Sequence, residues 1–162
     1  MKNQGETNSG RIPTFHLTIE DDLLIFKMQQ DNKVIQEVAL NAGYRFIANK
    51  FFEHEIPTES ETDYAINYIE DELMSNKTLQ QNNKELYTSD STIIGVLRKN
   101  SITTTINSRQ SIEDLFSRYA RVIVGAPASE LPAAITRNDF AAILVLREIL
   151  HHLNFEVLKT AM

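Results

Sequence analysis

The chain has 162 residues, 42% hydrophobic and 23% charged, a balance that excludes a disordered polymer and fits one domain with one sizeable core. Its net charge of −6, with 16 Lys and Arg residues scattered along the chain, opposes the counterion release that drives nucleic-acid binding, so no nucleic-acid partner is expected. The lack of cysteine removes disulfides, thiolate metal sites and a cysteine nucleophile; with no apolar run near the roughly 18 residues of a membrane span, the expected setting is the cytoplasm, without membrane attachment.

Residues 1–12 are polar and rich in Gly, Asn and Ser, which predicts a flexible tail, followed by a single domain over residues 13–162. From Phe15 the chain alternates: Phe15, Leu17 and Ile19 fall on one face, His16, Thr18 and Glu20 on the other, the period of a half-buried strand. Asp21-Asp22 turns the chain. Leu23–Gln29 and Lys33–Leu40 continue as strands around Gln30-Asp31-Asn32, giving a three-stranded antiparallel meander.

Gly43 breaks this pattern, and Tyr44–His54 takes helical spacing up to Pro57. Thr58 and Glu61 form the signature of a capping box, which opens a second helix running to about Met74. The stretch Glu53–Asp63 gathers five carboxylates and a histidine, yet capping and the helix dipole account for most of that charge. Asn76–Asp90 is rich in Asn and Gln and predicts a weakly ordered connection.

Thr92–Arg98 and Ser101–Ile106 are β-branched and predict a second hairpin around Lys99-Asn100. Ser111 can cap a helix carrying Ile112, Leu115, Phe116 and Tyr119; Arg121–Gly125 then predicts a short buried strand. After the loop APASELP, Thr136 caps a long helix over Arg137–Leu153, and Phe155–Lys159 suits a last strand. The expected fold class is α+β. It has an N-terminal antiparallel β-meander, two central helices, a second β-hairpin and a C-terminal helix–strand–helix region, in a single mixed sheet with helices on one face; a three-layer α/β arrangement is the alternative.

No nucleophile elbow, phosphate loop or dinucleotide fingerprint is present, so catalytic residues stay unassigned and no cofactor is expected. Glu148 and His151 have Glu-x-x-His spacing, but a di-iron bundle needs that motif twice; Glu148 with His152 is the weak metal candidate that remains, with His16 or His54 as distant ligands. The strand-to-loop stretch RVIVGAPAS and the following cap make Ser129 and Arg137 candidates for a phosphate or carboxylate.

The Arg137–Leu153 helix raises the sharper question. One arc of it carries Ala142, Ile143, Val145, Leu146, Ile149, Leu150 and Leu153, while Phe140, Leu144, Arg147 and His151 form a second stripe. A solvent-facing stripe has no use for Phe140 and Leu144. The leading expectation is therefore a small non-catalytic binding or assembly domain, a homodimer or a module for a protein partner, with Phe140, Leu144 and Arg147 at the interface. The alternative is an enzyme or small-ligand binder acting on an anionic phosphate or carboxylate substrate, held by Ser129, Arg137, Arg147 and His151.

Overall fold

A computed structural model describes residues 12–80 and 84–161; the expected tail at residues 1–12 lies outside the described residues except for Ile12. Strands β1 (Thr14–Ile19), β2 (Leu24–Gln30) and β3 (Lys33–Leu40) form the meander, and Asp31 and Asn32 turn the β2–β3 hairpin with φ of 51° and 62°. Both are residue types that tolerate the left-handed region such a two-residue turn demands.

Helices α1 (Tyr44–Phe51) and α2 (Glu59–Met74) follow, then β4 (Glu85–Thr88), α3 (Ser91–Lys99), β5 (Ile106–Ser108), α4 (Arg109–Ile123), α5 (Arg137–His152) and β6 (Val157–Thr160). They build one mixed sheet of order β3-β2-β1-β4-β6-β5, in which β1, β4 and β6 run parallel and β5 returns antiparallel to β6. The α1–α4 helices all pack on α5. Phe15, Leu17, Ile19, Phe26, Met28, Leu86 and Leu158 point from the sheet into that helical layer and are buried, whereas His16, Thr18, Lys27, Tyr87 and Lys159 on the opposite face stay partly or fully exposed. The single mixed sheet with helices on one face is the expected architecture. Among the described residues no helix is long and apolar enough to cross a membrane.

Four segments differ from the sequence expectation. The predicted loop Asn76–Asp90 holds β4, a central strand, because four residues suffice when β1 and β6 hydrogen-bond to both edges. The predicted hairpin over Thr92–Arg98 and Ser101–Ile106 is instead helix α3 followed by a turn and β5: the Asp90 carboxylate accepts from Thr92 N and Ile93 N, and Ile93, Val96 and Leu97 bury one helical face. Cap and burial override β-branched propensity there.

The predicted strand Arg121–Gly125 is the end of α4, closed by Gly125 at φ +116°, a conformation that favours glycine. Thus the C-terminal region runs helix, helix, strand, not helix, strand, helix. The cap of α4 is Ser108, whose hydroxyl accepts from Ser111 N, and Ser111 lies inside the first turn. Both predicted capping motifs form: Thr58 with Glu61 on α2, and Thr136 on α5, where Asp139 completes a capping box.

Gly43 has a definite task at the β3–α1 junction. A Cβ there would sit 2.5 Å from Asp21 O, Asp22 C and Glu20 O, since the β1–β2 turn lies against it, with Gly43 N donating to Asp22 O and Phe46 N to Asp21 O.

Candidate functional site

Helix α5 is covered on nearly every side. Phe140 is 5% exposed and Leu144 1%, and Phe140 meets Tyr119 of α4 edge to face at 4.9 Å. The second stripe is thus internal packing between α5, α3 and α4, and the expected interface residues Phe140 and Leu144 offer nothing to another molecule. Arg147, the third, is half-covered and turned to its own chain: its guanidinium pairs with Glu148 and with Glu113 of α4, and lies 5.2 Å from the Phe116 ring centroid.

The four anion-site candidates do not converge. Ser129 is exposed on a short 3-10 turn, Ala128–Glu130. Arg137 ties the start of α5 to the end of α1, donating to Phe52 O at 2.9 Å and Asn49 Oδ1 at 3.4 Å. Arg147 lies ten residues further, about 15 Å along the helix axis. His151 joins Arg147 only through Glu113, whose Oε1 is 3.8 Å from His151 Nδ1.

Glu148 is wholly buried, and His152 Nε2 stands 2.7 Å from its Oε2 without an aligned hydrogen bond. Burial alone would lower the Arg147 pKa; Glu148 and Glu113 outweigh it and raise it, so the guanidinium is firmly charged. Around it the metal-candidate pair Glu148 and His152 belongs to a polar cluster in which Arg147 joins the last turns of α5 to Glu113 of α4. His16 and His54 are far from it in the fold: His16 is on β1, and His54 bonds Glu61 beside the α2 cap.

In open sheets with parallel strands, ligands sit outside the strands' carboxyl ends, where backbone donors and loops gather. Here those ends are Ile19, Thr88 and Thr160. Two concavities lie there and their charges differ. The crevice beyond β1, about 440 Å³, is lined by Glu20, Asp21 and Asp22 with Tyr44 and Thr92. Its nearest helix N-terminus, that of α3, is already occupied: the Asp90 carboxylate accepts from Ile19 N, Thr92 N and Ile93 N. Three carboxylates around an anion-filled helix end disfavour phosphate.

The second cavity, about 340 Å³, opens on the sheet face opposite the helices, across β1, β4 and β6, and its wall includes His16, Tyr87, Ser89, Thr105, Lys159 and Thr160. Strand register puts them together: His16 pairs with Tyr87, and Tyr87 with Lys159. The His16 and Tyr87 rings stack at 5.3 Å, and Lys159 Nζ is 5.5 Å from the Tyr87 centroid. Glu85 holds both side chains in place, accepting from Tyr87 Oη at 2.8 Å and pairing with Lys159 Nζ at 3.0 Å.

That hydrogen bond to Glu85 raises the Lys159 pKa, and the same carboxylate raises that of Tyr87. Burial lowers the pKa of His16, whose Nε2 shares a hydrogen bond with Thr14 Oγ1 at 3.0 Å. The cavity therefore offers one firm cation, a ring pair and several hydroxyl groups, a donor set suited to phosphoryl oxygens. A third hollow, about 310 Å³, beside Arg109 is less suited. Its guanidinium is spent on Phe155 O and Asn154 Oδ1, and Glu113 and Glu156 face it.

None of His16, Tyr87 and Lys159 stands out in the sequence as part of one site, because they come from three separate strands. The usable signal is the polar phase of the alternation, His16 and Thr18 opposite Phe15 and Leu17.

No protein-family model and no curated protein matches the sequence. Solved structures do share its fold. An Aquifex aeolicus PPX-GPPA enzyme superposes with a TM-score of 0.73 at 14% identity, over 93% of this chain and 54% of its own. An exopolyphosphatase-like protein gives 0.71 at 8% identity, over 99% of this chain and 57% of its own. An exopolyphosphatase from Cytophaga hutchinsonii gives 0.64 at 15% identity, over 95% and 54%.

This chain spans little more than half the length of each. The expectation of a non-catalytic, self-associating interaction domain is overturned on two counts: its anchors are core residues, and the structures that share the fold include enzymes named for action on phosphate chains. What the likeness carries is a fold: that of the Ppx/GppA enzymes across nearly the whole of this chain.

Proposed function

We propose that this chain acts on a phosphate substrate, as the phosphate-handling part of a phosphatase-type protein working in the cytoplasm. The observation that carries the reading is the Ppx/GppA fold, extending over more than nine-tenths of the chain. The distribution of charge supports a location for the substrate: of the three concavities described, only the one bearing Lys159 has a cation and no carboxylate among its lining residues. In this reading Lys159 exchanges Glu85 for a phosphoryl oxygen, Ser89, Thr105 and Thr160 donate from their hydroxyls, and neutral His16 fixes the Tyr87 ring as the floor.

The test is calorimetric titration of tripolyphosphate, with phosphate release measured in parallel, on the wild type and on Lys159→Ala. A charge-assisted hydrogen bond is worth roughly 1.5–3 kcal/mol, so Lys159→Ala is expected to weaken binding by about tenfold to a hundredfold. A wild type that neither binds nor hydrolyses tripolyphosphate removes the reading. Equal affinity in the two proteins removes the assigned cavity and leaves the substrate class standing.

A further inference from the structure

Away from the sheet, α1 and α2 bring three aromatic rings around one ammonium. Lys50 Nζ is 5.7 Å from the Phe46 centroid, 5.8 Å from Phe51 and 5.5 Å from Tyr68. The rings form one continuous wall, since Tyr68 lies 5.7 Å from Phe46 and 5.4 Å from Phe51. The packing of the two helices holds this shape: Ile47 and Ala48 of α1 and Ala65 and Ile69 of α2 are buried beneath it, while the three rings are only partly covered. Tyr68 is anchored further by its hydroxyl, which donates to Asn41 O at 2.7 Å; Asn41 N donates in turn to Glu72 Oε2, which brings a carboxylate to the rim.

Three ring faces converging on a single cation, with a carboxylate at the edge, are the chemistry that recognises ammonium groups. Lys50 itself is exposed and on a flexible stem, and it marks where such a cation sits. A primary ammonium is strongly hydrated and gives up much on entering the rings. A methylated ammonium, with its charge spread over methyl groups, gives up less, which favours it in competition for the same space.

We propose that Phe46, Phe51 and Tyr68 form a binding site for a ligand carrying a methylated ammonium group, with Lys50 as the built-in competitor that closes the site when the ligand is absent. This site is independent of the phosphate cavity and stands or falls separately from it.

The probe is choline, followed by calorimetry and by ring-proton chemical shifts, against its neutral carbon isostere dimethylbutanol and against ethanolamine. Wild type should bind choline more tightly than either analogue. Lys50→Ala, which removes the competitor and leaves the rings, should bind choline about fivefold more tightly than wild type, the equivalent of about 1 kcal/mol. Adding Phe51→Leu to that variant should abolish the preference for choline over dimethylbutanol. Three results overturn the proposal: no choline binding by Lys50→Ala, equal affinity for choline and its neutral isostere, or equal affinity of wild type and Lys50→Ala. Ring-proton shifts of the unliganded variants report whether the wall is intact, and if Lys50→Ala loses it, Lys50→Gln supplies the competitor-weakened form on which the same outcomes are read.

Discussion

The two faces of the sheet are made from the same strands, often from adjacent residues, yet they carry different tasks. Phe15, Leu17, Leu86 and Leu158 are at most 3% exposed beneath the helices, whereas their neighbours His16, Tyr87 and Lys159 meet across the strands on a face that, among the described residues, no helix covers. The difference teaches how a small mixed sheet divides labour by the period of two: one phase supplies the core, and the other is free to hold polar groups at fixed cross-strand spacing. A substitution on the covered face should therefore act on stability, and one on the open face on binding.

The covered face gives the largest expected effect. Phe140→Ala leaves a void against Tyr119, and the loss is expected at about 3–5 kcal/mol in chemical denaturation, the range for a buried aromatic. Its ability to bind tripolyphosphate, measured where the variant is still folded, should be unchanged. If Phe140→Ala is near neutral in stability, or if it loses binding while folded, the division between the faces is wrong.

A smaller effect comes from a proton on the same side. Burial pushes the Tyr119 hydroxyl from 10.0 up to about 12, and the phenol proton is donated to Asn100 Oδ1 at 2.8 Å. The folded state holds the phenol proton longer than the unfolded chain does. The stabilisation is therefore complete below pH 10 and is lost as pH rises towards 12, in total about 2–3 kcal/mol at roughly 1.4 kcal/mol per unit. Tyr119→Phe should cost about 1 kcal/mol at neutral pH through the lost hydrogen bond and should flatten this alkaline limb. An alkaline limb as steep in Tyr119→Phe as in wild type would trace the loss to other groups.

The covered face was also the more legible in the sequence. The alternation at Phe15–Ile19, the Asp31-Asn32 turn, the Thr58–Glu61 capping box and the Thr136 cap can be read directly, because each is local chemistry acting over a few residues. Most of the failures share one cause, which is support from far along the chain. Strand β4 is invisible among Asn and Gln because β1 and β6 define it; α3 is the exception, a misreading of local chemistry, since its cap Asp90 stands directly before it. Phe140 and Leu144 suggest an interface only while α5 is imagined half-covered; with α1, α2, α3 and α4 all packed on it, a second apolar stripe is what burial requires. The cavity residues were illegible for the same reason: 71 residues separate His16 from Tyr87, and only parallel register joins them.

The open face should yield the smallest change in stability. His16→Ala removes one cross-strand stack on Tyr87 and one hydrogen bond to Thr14, contacts at a partly exposed position that are together worth about 1 kcal/mol. Burial lowers the His16 pKa, so the folded state favours the neutral ring. Its contribution is present above the ordinary histidine value of 6.5 and is lost as pH falls through the lowered folded value. His16→Ala should accordingly remove a shallow acid limb below pH 6.5 from the stability profile, read by thermal denaturation across a pH series. Because the ring pair floors the proposed phosphate cavity, the same variant should weaken tripolyphosphate binding by a larger factor than its small stability cost implies. A His16→Ala protein with unchanged binding and a stability loss comparable to that of Phe140→Ala would reverse the assignment, making the open face structural.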